Sequence, residues 1–502
     1  MHATPQSHLH RWKALIFIGL AQLMVVLDTT IVNIALPSAQ HDLGISDGNR
    51  QWVITAYSLA FGSLLLFGGR IADLTGRRRA FIVGLLGFAG ASALGGLAVN
   101  PGMLLGARAL QGVFGALLAP AALSLLAVTF TEPRERAKAF GIYSAISGAG
   151  GAFGLIMGGA LTEYLNWRWA LFVNIPFAVT AVFGAVTVIR EPAGARNGAR
   201  LDLPGVVLAT AGLLSLVYGF TRAESDGWTA PVTVALFIAS AGLLGAFVLV
   251  ESKVSSPLLP LRVVTERNRG GIYLSLGLAV IGMFGLFLFL TYYLQVVKGY
   301  TPVLTGFAFL PMIVGMVIGS TQIGTRLMTR LPPRLLMGPG FLTSALGIAL
   351  LTQIKVDSSY AGLILPAQVL LGLGMGTAFM PAMSLATRSV QPQDAGVASA
   401  LISASQQVGG SIGTALLNTV AAGATSNWLS THARSGVDRA RLANMAAVHG
   451  YASAIWWAVG ILVVAAAAAF LLINAREQNG GTGPDGKAAE EKADAVPMAA
   501  AH

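Results

Sequence analysis

Two residues of opposite charge interrupt apolar stretches that are otherwise long enough to cross a membrane. Asp28 lies within the apolar run 12–36, and Arg108 lies within the run 102–129. A charged side chain at the centre of a bilayer costs about 2.5–3.5 kcal/mol on insertion scales. Two such charges within spanning segments therefore indicate a functional role.

The two charges lie at similar depth. Asp28 is nine residues from Pro37 and Arg108 is seven residues from Pro101, which correspond to about 13 Å and about 10 Å along a helix. Burial favours the neutral acid, whereas a neighbouring cation favours the carboxylate. An acid balanced between these effects can take up a proton in one conformation and release it in another. We therefore identify a candidate proton-coupling pair; the alternative is a fixed ion pair that only locks two helices together.

Aromatic and amide side chains elsewhere in the apolar runs could bind a small molecule. Aromatic rings suit flat lipophilic compounds and can hold a cation over a ring face. Each of these residues could instead face lipid or pack in the core. The substrate-binding candidates are Asn33, Tyr57, Gln111 and Tyr143 in the first part of the chain and Phe284, Phe287, Tyr292 and Tyr293 in the second.

The elements that must position these residues are membrane-spanning helices. The chain has 502 residues, of which 55% are hydrophobic and 11% are charged, whereas soluble domains usually carry about 25% charged residues. Each spanning helix needs about 20 apolar residues. Fourteen apolar runs of that length lie near residues 12–36, 51–68, 80–98, 102–129, 137–161, 168–189, 203–221, 229–250, 270–293, 301–324, 334–354, 361–386, 395–422 and 447–473.

The basic residues predict the orientation. The net charge of +11 would suggest nucleic acid in a soluble protein, but here the Lys and Arg residues lie in short loops between apolar runs. With both termini in the cytoplasm, 23 of them lie inside, 8 outside and one, Arg108, within a run. We expect a multi-pass cell-membrane protein with both termini cytoplasmic and no nucleic-acid partner. Because the chain has no cysteine, it can form neither disulfides nor thiolate metal sites.

The spacing of glycine and proline repeats between two parts of the chain. Gly115 and Pro120 are spaced as Gly376 and Pro381, and the same holds for Gly141, Gly154 and Gly158 against Gly396, Gly409 and Gly413. Repeated six-helix halves are typical of secondary transporters. The predicted divisions are a cytoplasmic tail at 1–11, a six-helix half at 12–190, two inserted transmembrane helices with their loops at 191–268, a second six-helix half at 269–473 and a disordered cytoplasmic tail at 474–502.

The repeat also bears on the charged pair. The region of the second half that matches Arg108 has Gln368 and Val369 and carries no charge. The helical scaffold alone therefore does not require an arginine there, which favours a functional role for the pair.

Four stretches carry a resemblance to a known family. They are residues 27–37 (LDTTIVNIALP), 69–79 (GRIADLTGRRR), 108–112 (RALQG) and the span-five glycines Gly150, Gly154, Gly158 and Gly159. With these stretches the chain resembles the major facilitator superfamily, and within it the fourteen-span drug:proton antiporters. The resemblance covers about residues 12–473. The family usually has proline after the second of these glycines, where this chain has Leu155.

The resemblance implies roles for two of these motifs. Gly69, Asp73, Gly76, Arg77 and Arg78 would form a conformational latch, in which Asp73 faces the positive N-terminal end of another helix in the outward-facing state. The simpler interpretation is that the arginines only keep this loop in the cytoplasm. The glycines of span five would form the antiporter motif, or would only allow close helix packing.

These observations predict an all-α polytopic membrane protein with the major facilitator fold, built from two six-helix halves plus two extra helices. The resemblance implies a proton-coupled antiporter that exports lipophilic drugs or antibiotics by alternating access. The alternatives are an exporter of a dedicated endogenous metabolite or lipid on the same fold, and a non-transporting sensor. We expect no enzyme activity, because the spans contain no phosphate loop, paired His ligands or nucleophile triad. We expect a monomer whose partners are a small lipophilic substrate, protons and the bilayer. The proton gradient would be the energy source, and we expect no cofactor.

Overall fold

The fold is a bundle of long helices. The computed structural model describes residues 5–130, 132–189, 202–254, 257–328, 330–387, 395–432 and 438–474, and these residues contain no β-strand. Within these ranges we label fourteen long helical segments: α1 (Pro5–Leu43), α2 (Trp52–Thr75), α3 (Arg77–Gly96), α4 (Pro101–Thr129), α5 (Pro133–Tyr164), α6 (Trp169–Thr187), α7 (Leu203–Ser225), α8 (Pro231–Glu251), α9 (Arg267–Val297), α10 (Pro302–Met328), α11 (Arg334–Gln353), α12 (Tyr360–Ile364 continued by Leu365–Thr387), α13 (Ala395–His432) and α14 (Arg439–Leu472).

The segments have the length that a bilayer requires. Among the described residues, 12 helices are long and apolar enough to cross a membrane. The other two segments, α5 and α13, have 32 and 38 residues, or about 48 Å and about 57 Å of helix against a hydrocarbon core of about 30 Å. Both carry several glycines and polar residues, which lower their hydropathy. The fourteen segments therefore fit the predicted number of spans.

Several helices run past the ends of the apolar runs. α1 covers Pro5–Leu43 rather than 12–36. α13 and α14 extend beyond the apolar runs 395–422 and 447–473, so the connection between them is reduced to the few residues between His432 and Arg439. Polar residues form helix freely outside the hydrocarbon core, so hydropathy marks the membrane boundary and not the helix end. We call the end of the bundle where α1 begins and α14 ends the terminal end, and the opposite end the distal end.

The two predicted six-helix halves pack in the same pattern. In the first half α1 packs on α5 and α6, α4 on α2 and α3, and α3 on α6; in the second half α9 packs on α13 and α14, α12 on α10 and α11, and α11 on α14. A Cβ added to Gly158 would lie 2.9 Å from the Cα of Ile31, and one added to Gly413 would lie 2.6 Å from the Cα of Ile281. The repeated glycines thus allow α5 to approach α1 and α13 to approach α9 in the same way.

The inserted pair, α7 and α8, lies beside the seam between the halves. Val217 of α7 is buried with Leu59 of α2 and Ala415 of α13, which belong to different halves. Thr419 Oγ1 donates to the carbonyl oxygen of Phe220 at 2.9 Å. Helix α8 packs on α7 and buries little of its apolar surface inside the bundle. The predicted domain boundaries stay predictions, since residues 190–201 and 475–502 lie outside the described residues.

Candidate functional site

Asp28 of α1 and Arg108 of α4 form a buried ion pair. Arg108 Nη1 donates to Asp28 Oδ2 at 2.6 Å. The exposed fractions of the two residues are 0% and 1%. The structure thus brings together the two residues whose depths along their helices match in the sequence.

Two amide side chains complete the hydrogen bonding of the carboxylate. Gln111 Nε2 of α4 and Asn174 Nδ2 of α6 donate to Asp28 Oδ1 at 2.9 Å and 2.8 Å. Ser92 Oγ of α3 accepts from the same two amides at 2.7 Å and 3.3 Å. We call Asp28, Ser92, Arg108, Gln111 and Asn174 the Asp28 network. Three N–H groups therefore point at one carboxylate, an arrangement that suits the ionised acid.

The N-terminus of α4, the helix that carries Arg108 and Gln111 of the network, is fixed by two local features. Asn100 Oδ1 accepts from the backbone N–H of Met103 at 2.9 Å, and Pro101 occupies the first helical turn. Both features fix the N-terminus of a helix. Arg108 and Gln111 are three residues apart and therefore lie on one face of that helix. Arg108 Nη1 also donates to Gln111 Oε1 at 2.8 Å.

Helix α2 supports the arginine from the other side. Arg108 Nε donates to the carbonyl oxygen of Val53 at 3.0 Å, and its guanidinium lies 4.5 Å from the centre of the Tyr57 ring. A Cβ on Gly112 would lie 2.8 Å from the Cβ of Ala60, so a glycine is needed for α4 to approach α2 this closely. Tyr57, a substrate-binding candidate, therefore packs against Arg108 inside the first half.

All members of the Asp28 network belong to the first half. At the matching place in α12, Gln368 is fully buried and its side-chain amide has no hydrogen-bond partner in the described part of the chain. The buried ion pair thus joins α1 to α4 inside the first half. Within the described residues, no group of three or more His, Asp or Glu side chains could hold a metal ion.

The latch residues lie at the turn between α2 and α3, at the terminal end. Gly76 has a φ of +101°, a conformation that L side chains rarely adopt. Arg78 donates through Nε and Nη2 to the carbonyl oxygens of Ala185 and Val186 at 2.9 Å and 2.6 Å, at the end of α6 in the same half. Gly69 faces Pro120, and Arg77 is half-buried. The Asp73 side chain lies outside the described part of the structure, so its latch role stays a prediction.

The span-five glycines face two different partners. Gly150, Gly154 and Gly158 lie against α1, next to Leu23, Thr30 and Ile31 respectively. A Cβ on Gly159 would instead lie 2.6 Å from the carbonyl oxygen of Pro302, in α10 of the other half. Leu155, which replaces the family's usual proline, is fully buried, and α5 continues through it without a break.

The substrate-binding candidates are distributed over the bundle. Asn33 donates to the carbonyl oxygen of Thr29 in its own helix at 2.7 Å, and Tyr143 donates its hydroxyl to Gln22 of α1. Phe287 stacks on Phe309 with ring centres 4.5 Å apart. Tyr293 donates to the carbonyl oxygen of Lys355 at 2.7 Å, and the Phe284 side chain lies outside the described part. These contacts do not test substrate binding, so the candidates stay predictions.

The halves touch each other at the distal end. Tyr292 donates its hydroxyl to Gln40, and Arg50 places its guanidinium 4.0 Å from the centre of the Tyr292 ring. Further contacts join Gln295 Nε2 to the carbonyl oxygen of Ile34 at 3.0 Å and the N–H of Val303 to Glu163 Oε2 at 3.0 Å. We call the contacts of Gln40, Arg50, Glu163, Tyr292 and Gln295 the distal closure.

Sequence reasoning missed Ser92 and Asn174 of the network, and Gln40, Arg50 and Gln295 of the closure. A lone asparagine in an apolar run had no charge to mark it. Arg50 was counted only as a loop charge for the orientation. None of these roles is visible until the packing of the helices is known.

Comparison with known proteins assigns the family. The model of the Major Facilitator Superfamily matches residues 18–414. The chain belongs to the major facilitator superfamily. The match, together with the helical architecture, confirms the predicted all-α fold of this superfamily.

Relatives within the superfamily carry names of antibiotic resistance and export. The puromycin resistance protein pur8 of Streptomyces alboniger is 54% identical over 470 residues, which are 93% of this chain and 92% of the relative. The cephamycin export protein CmcT of Amycolatopsis lactamdurans is 40% identical over 82% of this chain and 85% of the relative. The chain is therefore a multi-pass membrane transporter and not an enzyme.

Solved structures share the fold. A bacterial homologue of the human lysosomal transporter Spinster, in an inward-facing and unoccupied conformation, superposes with a TM-score of 0.65 at 18% sequence identity. The superposition covers 94% of this chain and 98% of that one.

Proposed function

We propose that this transporter exports small lipophilic antibiotics from the cell in exchange for protons, by alternating access. The observation that supports it most is the Asp28 network, because a buried ion pair in the first half has no charged counterpart in the second. The export and resistance names of the relatives support the direction of transport. The proton gradient would supply the energy, with no bound cofactor and a monomer as the working unit.

The proposal includes the orientation of the bundle in the membrane. The terminal end of the bundle would face the cytoplasm, because 23 of the Lys and Arg residues fall on that side and 8 on the other. The distal closure would then seal the external side, and the described conformation would be an inward-facing state. Release of the drug to the outside would require the closure to separate and the terminal end to close.

Puromycin is the first compound to test, since the relative named for puromycin resistance matches this chain over most of both lengths. The chain should raise puromycin resistance when it is expressed in a drug-sensitive bacterium that lacks its own pumps. An uncoupler that collapses the proton gradient should abolish the efflux. Efflux that persists without a proton gradient would contradict antiport.

A dedicated exporter of one natural product is the second candidate. It is favoured by the names of further relatives, a tetracenomycin C resistance and export protein at 34% identity and a probable actinorhodin transporter at 34% identity. A broad antibiotic panel separates the two candidates. Resistance to several unrelated lipophilic compounds supports a multidrug exporter, and resistance to a single scaffold supports the dedicated one.

A further inference from the structure

Asn174 has one side-chain atom that the Asp28 network leaves unused. Its Nδ2 donates to Asp28 Oδ1 at 2.8 Å and to Ser92 Oγ at 3.3 Å. Its Oδ1 is buried and has no hydrogen-bond partner in the described structure, and the residue is 0% exposed. Asn174 Oδ1 is one of several buried side-chain atoms without a partner among the described residues, and it matters here because its side chain is bonded to Asp28.

The other two side chains bonded to Asp28 have no acceptor atom that lacks a partner. Arg108 carries only donors. The Oε1 of Gln111 already accepts from Arg108 Nη1 at 2.8 Å. Among the side chains hydrogen-bonded to Asp28 in the described structure, the acceptor atom without a partner is therefore Asn174 Oδ1. An acceptor becomes necessary as soon as Asp28 binds a proton, because the protonated acid gains an O–H donor.

We infer that Asn174 is a positioning residue whose amide rotates with the protonation state of Asp28. With the carboxylate ionised, Nδ2 faces Asp28 and donates to it. With the acid protonated, half a turn about the Cβ–Cγ bond brings Oδ1 into the same place to accept the new O–H. The proton stays on Asp28, the amide stays neutral, and only the direction of the hydrogen bond reverses. This inference rests on the proposed proton-coupling role of Asp28.

Ser92 makes the rotation feasible. Its hydroxyl oxygen accepts from Asn174 in the described state, and a hydroxyl can turn to donate instead. After the rotation Ser92 can therefore donate to Oδ1 and keep its contact with Asn174. The bonds of Asn174 to Asp28 and to Ser92 are therefore kept in both protonation states, while the end of the amide that points away from them has no partner among the described residues in either state.

A matched pair of variants tests the inference. Thr and Val have nearly the same shape, but only the Thr hydroxyl can both donate and accept. We expect the pH curve of puromycin-induced proton release for Asn174→Thr to coincide with that of the parent protein. The curve for Asn174→Val should move to higher pH by about one unit, a tenfold change in proton affinity, because the charge-assisted bond that the anion loses is stronger than the neutral bond that the acid loses. Equal displacement in both variants, or in neither, overturns the inference.

Infrared spectroscopy tests the rotation without destabilising the protein. The parent protein, labelled with ¹³C in the asparagine side-chain carbonyl, should show a label-sensitive band in the difference spectrum between low and high pH, and Asn174→Thr should lack it. A parent spectrum without that band overturns the rotation. An Asp28→Asn variant that releases as many protons as the parent protein contradicts the proposed coupling instead. If Asp28→Asn is silent while Asn174→Val behaves as the parent protein, only the inference about Asn174 fails.

Discussion

The guanidinium of Arg50, in the first half, lies 4.0 Å from the centre of the Tyr292 ring, in the second half. Arg50 is only 6% exposed, and its Nη1 also contacts Asp47 Oδ1 at 3.3 Å. A desolvated cation over an aromatic face contributes about 2 kcal/mol. This contact joins the halves at the distal end, and it must break before that end can open.

Loss of the ring should weaken the distal closure. Relative to Tyr292→Phe, Tyr292→Leu should raise the ratio of distal-open to distal-closed protein about thirtyfold, for about 2 kcal/mol of lost contact. Tyr292→Phe keeps the ring face and serves as the control. Because the chain has no cysteine, spin labels on Asn49→Cys and Asp357→Cys, both exposed at the distal end, report the distance between the halves. Identical distance distributions for Leu and Phe would show that the ring does not hold the closure.

Gly159 should be intolerant of a methyl group. A Cβ there would lie 2.6 Å from the carbonyl oxygen of Pro302, so Gly159→Ala should push α5 away from α10, favour the distal-open state and reduce transport several-fold. Gly151 is the control, since a Cβ added to it meets nothing within 4 Å. Gly151→Ala should transport normally and gain up to about 1 kcal/mol of helix stability. Equal transport by the two variants would contradict close packing of the halves at Gly159.

Arg78 should stabilise the first half. Its two hydrogen bonds to the last carbonyl groups of α6 are bonds from a charged donor, which contribute about 1.5–3 kcal/mol each. Arg78→Ala should therefore lower the melting temperature of the purified protein. Arg79 is exposed at the same turn, and Arg79→Ala should leave the melting temperature within about a degree of the parent value. A drop of the same size in both variants would indicate a general charge effect.

The sequence predicted the positions of the helices better than it predicted which helix faces pack against each other. Apolar runs located all fourteen segments, since hydropathy follows directly from residue type. Asp28 and Arg108 could be paired because matching depth on two helices is readable from spacing. Asn174 could not, because no pattern says which face of α6 meets α1. Tyr57 stays a substrate-binding candidate, but its contact with Arg108 could not be predicted, because an aromatic residue type does not indicate whether the ring faces a cavity or a buried cation.

We propose that Asp28 carries the coupled proton, and proton release tests this role most directly. Purified protein in weakly buffered detergent should release protons when puromycin is added. Asp28→Asn should release none, and Glu163→Gln, which changes an exposed acid of the distal closure, should release as many protons as the parent protein. Release from Asp28→Asn equal to that of the parent protein, with release lost in Glu163→Gln, would contradict the account and move the coupling site to Glu163.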